Sequence, residues 1–353
     1  MKIAVLLSGG VDSSVALQLL HNEGHDLTAF YLKIWLEDET SFLGTCPWEE
    51  DLNYIQAVCE RLQVPFKVIP LQKEYYEKVV SYTLAEIKAG RTPNPDVFCN
   101  AYIKFGLFFD HIDSSFEKVA TGHYAQTRSI DGATELIASP DPVKDQTYFL
   151  AYLKQEQLAR ALFPIGHLYK EQVRQLAAQY DLPTKTRKDS QGICFLGKLR
   201  FQDFIRHYLG DQPGNLVEFE TGTILGTHKG FWYYTIGQRQ GSGLAGGPWY
   251  VVSKDPITNT VYISRSYYEP DKKRNQFIIR NCNWIAYEPK VGHYQVKMRH
   301  GKYRHDCLLI PGDGDKATVI LADNDQGIAQ GQFAVLYDHN TCLGAGIIDE
   351  TVS

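Results

Sequence analysis

A chain of 353 residues exceeds what one ordinary core organises, so two or three domains are expected. Apolar residues at 44% and charged residues at 22% fit a soluble globular protein, and a net charge of −5 gives no global sign of nucleic-acid binding, which leaves any RNA contact to a local patch. Seven cysteines, none spaced as C-x-x-C, argue against a disulfide framework or a zinc ribbon and fit a reducing compartment.

The first apolar run, Ile3–Leu7, is too short for an export signal, and Asp12 breaks the apolar pattern soon after it. No segment approaches the roughly 20 apolar residues of a membrane span, so a cytoplasmic location without membrane contact is expected. Ile3–Leu7 reads as a buried parallel strand. Val11, Val15, Leu19 and Leu20 then mark one helical face, which stops at Gly24. Leu27–Ile34 reads as a second strand, and Leu52, Ile55, Cys59 and Leu62 trace a second helix. "VPFKVIPL" (64–71) predicts a third strand, residues 74–89 a long helix, and "KVATGHYAQTR" (118–128) a fourth strand leaving the sheet at Gly122. Strand and helix alternate as in a doubly wound parallel α/β sheet. Beyond residue 205 the pattern turns to glycine-rich loops and short β runs, read as a small β-rich domain and then a C-terminal β-barrel. The expected domains are 1–204, 205–271 and 272–353.

Ser8-Gly9-Gly10-Val11-Asp12-Ser13-Ser14 joins a strand to a helix start. Glycines let backbone approach a ligand, and the free amides of a helix start favour an anion such as phosphate. There is no G-x-x-x-x-G-K-[ST] and no G-x-G-x-x-G. Ser-Gly-Gly-x-Asp-Ser in this setting resembles the PP-loop ATP pyrophosphatases, of the adenine nucleotide α-hydrolase-like fold. That resemblance implies ATP, with Asp12 helping to hold its magnesium.

Three later stretches bear on the acceptor. In "GRTPNPDVFCNAYIKF" (90–105), Pro93 and Pro95 stiffen the loop around Asn94, and Cys99 lies where a helix is predicted to begin, a place that stabilises a thiolate. In "KTRKDSQGICF" (185–195), Cys194 follows Lys185, Arg187 and Lys188, whose charge favours a thiolate or persulfide anion. In "PDPVKDQTYFLAYL" (140–153), Lys144, Asp145 and Gln146 precede an aromatic run suited to phosphate and base together. Each stretch by itself also reads as ordinary structure: a buried cysteine, a strand cysteine, a solvated turn.

Taken together, SGGVDSSV, TPNPDVFCN with IKF, ATGHYA, KDQTYFL and KDSQGICF, followed by YTIGQRQGSGL and GQFAVLYD, resemble the tRNA-specific 2-thiouridylases over essentially the full length. The resemblance implies ATP-dependent 2-thiolation of the wobble uridine, U34, in tRNAs for Lys, Glu and Gln. AMP transfer to the C2 oxygen precedes sulfur delivery from a cysteine persulfide, with AMP and pyrophosphate as products.

Carried over by residue, Cys194 bears the persulfide, Cys99 is its partner nucleophile, with a transient Cys99–Cys194 disulfide, and Asp96 handles protons. Leu6, Leu7, Ser8, Gly9, Gly10, Val11, Asp12 and Ser13, with Leu32 and Gly122, meet the nucleotide. Leu32 stands where a methionine is usual. Asn94, Pro95 and Asp96 meet the target base. His123, Lys144, Asp145, Gln146, Arg299, His300 and Gln332 contact tRNA. The basic run Lys297, Arg299, His300, Lys302, Arg304 and His305 is expected to meet phosphates of the anticodon stem-loop, although "KMRHGKY" departs from the family's pattern there. A relay protein or cysteine desulfurase is implied as sulfur donor, and the chain is expected to act as a monomer. Cys46 lies near a cysteine of relatives and has no assigned role. Cys59, Cys282, Cys307 and Cys342 read as packing residues. Two rivals are a PP-loop ligase acting on a small molecule, which needs no paired reactive cysteines, and a non-catalytic RNA-binding module. An iron–sulfur tRNA thiolase would need the missing C-x-x-C pairs.

Overall fold

The computed structural model describes residues 1–34, 47–189, 201–239, 241, 243–266, 274–325 and 327–352. Cys46 and Cys194 lie outside the described residues.

β1 (Lys2–Leu6), β2 (Asp26–Lys33), β3 (Phe66–Pro70), β4 (Lys118–Ala120) and β7 (Ala161–Leu162) form one parallel sheet in the order β3-β2-β1-β4-β7. Burial explains the unbroken apolar reading of β1, where Ile3, Ala4 and Val5 are all 0% exposed. Ile3 and Val5 pack beneath α1 (Val11–Asn22) and α2 (Pro47–Leu62), in a cluster with Leu17, Leu20, Ile55 and Val58. Ala4 and Leu6 face the other way, into a cluster with Phe30, Tyr75, Phe98 and Cys99. That second layer holds α3 (72–88, with a π turn over Tyr76–Val80) and α4 (95–104, α-helical over Pro95–Phe98 and a π turn over Cys99–Lys104). Gly24, at φ +75°, closes α1 where the sequence predicts the stop.

The predicted single strand over 118–128 is two strands in two sheets. β4 ends at Ala120, and Ala125 begins β5 (Ala125–Ile130), which pairs with β6 (Ala133–Ala138) as a hairpin. That hairpin leaves the parallel sheet and adds to the barrel, where β6 pairs with β17 at Leu136–Cys342 and Ile137–Thr341. β4 is only three residues long and β5 is mostly polar, so sequence periodicity does not reveal that the chain changes sheets between them.

The middle of the chain begins with α8 (Phe201–Leu209), which comes after α5 (Thr147–Leu150), α6 (Gln155–Arg160) and α7 (Lys170–Gln179). A four-stranded sheet then forms from β8 (Gly214–Glu218), β9 (Ile224–His228), β10 (Tyr250–Asp255) and β11 (Thr260–Ser264), in the order β10-β11-β8-β9. The C-terminal strands are β12 (Gln276–Trp284), β13 (Gly292–Lys297), β14 (His305–Pro311), β15 (Ala317–Leu321), β16 (Phe333–Asp338) and β17 (Thr341–Val352). β12 pairs with both β15 and β17, which closes a six-stranded barrel around Phe277, Val296, Leu309, Val319, Leu336 and Ile348. The other side of the barrel wall is apolar too. Phe333, Val335 and Tyr337 join the cluster that contains Phe98 and Cys99, so one core runs from the nucleotide sheet into the barrel. Among the described residues no helix is long and apolar enough to cross a membrane.

Candidate functional site

The strand order reverses between β1 and β4, and the loops after these two strands therefore part around a crevice at their carboxyl ends. The Ser8–Asp12 loop leaves β1 there, and Gly122 comes just after β4. Gly9 adopts φ +71°, and Gly10 caps α1 in extended conformation without a side-chain cap. Ser13 and Ser14 hydroxyls both donate to the Gly10 carbonyl, at 3.2 and 2.9 Å, and the Ser8 amide donates to Ser13 Oγ at 3.3 Å. The serines thus stiffen the loop from within. Gly122 packs so closely that a Cβ would lie 2.6 Å from the Ser13 nitrogen. Leu32, near the end of β2, is half-buried and packs against the second layer's core.

Charge surrounds this loop. The Asp12 carboxylate accepts from Lys170 Nζ at 2.7 and 2.9 Å and from the Tyr124 hydroxyl at 2.8 Å. Arg187 donates to the Gly9 carbonyl at 2.6 Å, pairs with Asp51 and lies over the Tyr54 ring. Asp189 accepts from Lys170 and Lys144, each at 2.8 Å, and from Arg174. Burial pushes the Asp189 carboxyl up, but the hydrogen bonds and charges of Lys144 and Lys170 outweigh it and hold it well below the usual carboxylate range.

The segment 144–149 is the hub of the site. Lys144 reaches Asp189. Asp145 pairs with Lys297 of β13 at 2.9 Å and lies 3.8 Å from Arg304. Gln146 and Tyr124 exchange hydrogen bonds at 2.9 and 3.0 Å, fixing the chain just after His123. The Tyr148 hydroxyl lies 3.1 Å from the Phe333 carbonyl and 3.4 Å from Gln332 Oε1, and burial keeps it protonated. The Phe149 carbonyl accepts from Asn100, and its ring stacks against His300 with centroids 4.7 Å apart. The loop before α4 is held from the barrel as well. Gln332 donates to the carbonyls of Thr92 and Pro93, at 3.0 and 3.4 Å, and the Thr92 amide donates to the Gln330 carbonyl.

Several expectations shift. The helix starts at Pro95, with Asn94 as N-cap, so Cys99 sits a full turn inside it and is 1% exposed. The influence of a helix start falls off within the first turn, so it cannot be what activates this thiol. Asn94 and Asp96 are half-buried beside it. Asp145 is 2% exposed, and its carboxylate is occupied inside the protein rather than presented at the surface. Lys297, placed by sequence in a phosphate-binding run, alternates with Val296 and Met298 of the barrel core and so faces out of the barrel, where Asp145 and the Tyr337 ring cover it; it is 2% exposed. Arg299 remains 57% exposed while paired to Asp325, which His305 also approaches at 3.3 Å. His123 lies against Phe105 and Phe163, bonds to Thr121 at 2.8 Å, and is held well below its usual pKa by burial and then by Lys104. Burial pushes the thiols of Cys59, Cys282 and Cys307 up to about 12, as suits packing residues. The pairing of Cys194 with Cys99 lies outside the described residues.

Sequence reasoning missed Lys170, Arg174 and Tyr124. Lys170 and Arg174 sit four apart at the start of an unremarkable amphipathic helix, and no local motif singles them out. Asp189 stands inside the KDSQGICF stretch, but its partners are supplied only by the fold.

Residues 1–198 match the domain family described as tRNA methyl transferase HUP domain, residues 202–265 the tRNA methyl transferase PRC-barrel domain, and residues 274–348 the aminomethyltransferase β-barrel domain. The tRNA-specific 2-thiouridylase MnmA of Parabacteroides distasonis is 46% identical, over 99% of this chain and 100% of its own length. The protein of the same name from Porphyromonas gingivalis is 44% identical over 99% of each chain. A tRNA-specific 2-thiouridylase MnmA 2 of Bacteroides fragilis is 44% identical, over 99% of this chain and 100% of its own. With a nucleotide loop at the sheet's switch point, a barrel bonded to the Asn94 loop, and likeness from end to end, the chain belongs to the tRNA-specific 2-thiouridylase family.

Proposed function

We propose that this enzyme uses ATP to replace the C2 oxygen of the wobble uridine in tRNA by sulfur, with Cys194 as persulfide carrier and Cys99 as its partner. One observation carries the reading. Segment 144–149 bonds at once to Asp189, to the residue after Cys99, to the barrel at Lys297 and Phe333, and to Gln332, which in turn holds the loop before Asn94. A single six-residue stretch thus brings together groups that are distant in sequence, as a reaction joining nucleotide, base and sulfur requires.

The uracil C2 oxygen is a poor leaving group, and AMP transfer from ATP makes it a good one, with pyrophosphate released. The backbone amides at the start of α1 suit the pyrophosphate charge. Asp12, with 31% side-chain exposure, fits a magnesium ion held through one carboxylate plus nucleotide phosphates; when bound, that ion offsets phosphate charge. Asn94 and Asp96 face the base, with Asp96 moving the proton as charge shifts on the ring. Sulfur then reaches C2 by one of two routes. Either the outer sulfur of the Cys194 persulfide attacks C2 and expels AMP, after which Cys99 attacks Cys194 Sγ, forming the Cys99–Cys194 disulfide and releasing the thiolated base, or Cys99 attacks Cys194 Sγ first and releases sulfide, which attacks C2 and expels AMP. Each route leaves a disulfide that two electrons from an external thiol must reduce. The anticodon loop already exposes U34, so presenting it costs less than flipping a base from a duplex.

The experiment is incubation of tRNA with ATP, magnesium and a sulfane-sulfur donor that can load Cys194 as a persulfide (a cysteine desulfurase with cysteine), with an external thiol as reductant, read by nucleoside mass spectrometry. Formation of 2-thiouridine at position 34 is expected. Cys99→Ser and Cys194→Ser should each abolish it while tRNA still binds. Thiolation by both serine variants at the parental rate would refute the mechanism, and a methylated rather than thiolated nucleoside would replace the reaction itself.

A further inference from the structure

Asp12 and Lys144 belong to different stretches, yet one chain of charges joins them. Lys170 Nζ lies 2.7 Å from Asp12 and 2.8 Å from Asp189, and Lys144 Nζ lies 2.8 Å from Asp189. Arg174, one turn after Lys170 on α7, takes the Asp189 oxygen that Lys170 also uses. Two carboxylates are thus shared among three cations, all three of which compete for Asp189. Lys170 is the most enclosed of the three, at 15% side-chain exposure against 32% for Arg174 and 35% for Lys144. Asp141 secures the frame. One of its oxygens accepts the Lys170 backbone amide at 3.0 Å, and the other accepts the amides of Val143 and Lys144, each at 3.1 Å. The ends of the relay are therefore fixed, and the ammonium groups between them are free to change partner.

We infer that Lys170 and Asp189 couple nucleotide binding to tRNA binding through competition of Lys170 and Lys144 for the Asp189 carboxylate. A nucleotide arriving with magnesium claims the Asp12 carboxylate and displaces Lys170 from it. Lys170 then rests wholly on Asp189, which already holds Arg174. A carboxylate satisfied by two close cations holds a third only weakly, and Lys144, the most exposed, is released toward an RNA phosphate. By reciprocity, tRNA that captures Lys144 draws Lys170 onto Asp189 and opens Asp12 to the metal–nucleotide complex. The enzyme would thereby favour having both substrates present before AMP transfer. The inference rests on the proposed tRNA and ATP reading.

The test measures the affinity of the full-length protein for an anticodon stem-loop RNA, with and without magnesium and α,β-methylene-ATP, whose α–β linkage is not cleaved. In the parent the nucleotide complex should tighten RNA binding by about fivefold or more, within the usual range of coupling between sites. The same nucleotide with EDTA should not. The two variants move in opposite directions. Asp189→Asn gives up the charge that holds Lys144, so RNA should bind at the tight level whether or not nucleotide is present. Lys170→Met breaks the relay while Asp189 keeps Lys144, so RNA should bind at the weak level in both conditions. Lys170→Arg should restore part of the response. Thermal unfolding reports whether each variant is folded, and the opposed directions of the two variants separate a relay from general damage. Equal RNA affinity in the parent with and without the nucleotide complex overturns the coupling but leaves the thiolation reading standing. A normal response in folded Lys170→Met, or in Asp189→Asn should the former not fold, overturns the relay. Failure of the parent to bind the RNA at all overturns the reading beneath it.

Discussion

Asp145 and Lys297 stand 152 positions apart in the chain and meet at 2.9 Å with side-chain exposures of 2% and 1%, the most enclosed ion pair between the nucleotide-binding part and the barrel among the described residues. Arg304 and the Lys297 ammonium both lie over the Tyr337 ring, and Thr147 donates to Asp145 as well. Asp145→Ala should cost about 3–5 kcal/mol, because it leaves the Lys297 charge buried and unpaired. The double change Asp145→Leu with Lys297→Met should recover much of that loss. Urea unfolding of the two variants checks both statements; an Asp145→Ala variant as stable as the parent would show that the pair is not what joins these parts.

Gln332 grips the carbonyls of Thr92 and Pro93, and so sets where Asn94 and Asp96 stand. Gln332→Glu keeps the shape but turns a carboxylate oxygen toward the Thr92 carbonyl. The thiolation rate should fall about 10- to 100-fold through misplacement of the loop, while nucleotide affinity, measured by calorimetry, stays within a few fold.

Gly122 lets β4's loop touch the start of α1. Gly122→Ala would set a methyl carbon 2.6 Å from the Ser13 nitrogen and 2.8 Å from the Asp12 carbonyl carbon, both backbone atoms that cannot yield as a side chain would. The loop must shift, and nucleotide affinity should drop by about tenfold, roughly 1.4 kcal/mol. Calorimetric titration with α,β-methylene-ATP reads this directly.

His123 predicts a pH dependence. Burial holds its folded-state pKa well below the ordinary value, so the unfolded chain takes up a proton that the folded chain refuses. Above the unfolded pKa of about 6.5 this residue imposes no penalty; as pH falls below it, stability is lost at up to about 1.4 kcal/mol per pH unit. His123→Phe keeps a ring against Phe105 and Phe163 but cannot be protonated. Unfolding free energies at pH 5 and pH 7 should differ less in this variant than in the parent.

Local physics made much of the molecule legible. The Ser8–Ser14 loop is fixed by its own glycines and hydroxyls, which bond within a few residues, so its form comes from its sequence. β1, α1 and their junction were readable for the same reason, since a buried strand and an amphipathic helix carry their patterns locally. The register of Cys99 was less so. Pro95 at the first helical position moves the helix start four residues ahead of the cysteine, a signal present in the sequence but outweighed there by the polar loop.

What the amino-acid order determined by itself is the set of chemical groups and the elements that carry them: a phosphate loop, a stiffened proline loop, two distant cysteines, a barrel. Which charged groups become buried was decided only when the sheets closed. Lys297 and Asp145 look like surface residues in any window of sequence, and they are buried because each supplies the counter-charge that makes the other's burial tolerable. The same holds for Lys170, whose place between Asp12 and Asp189 depends on contacts spanning 158 positions along the chain. Pairing over such separations leaves no local pattern, because its energy comes from solvent exclusion that exists only in the folded protein.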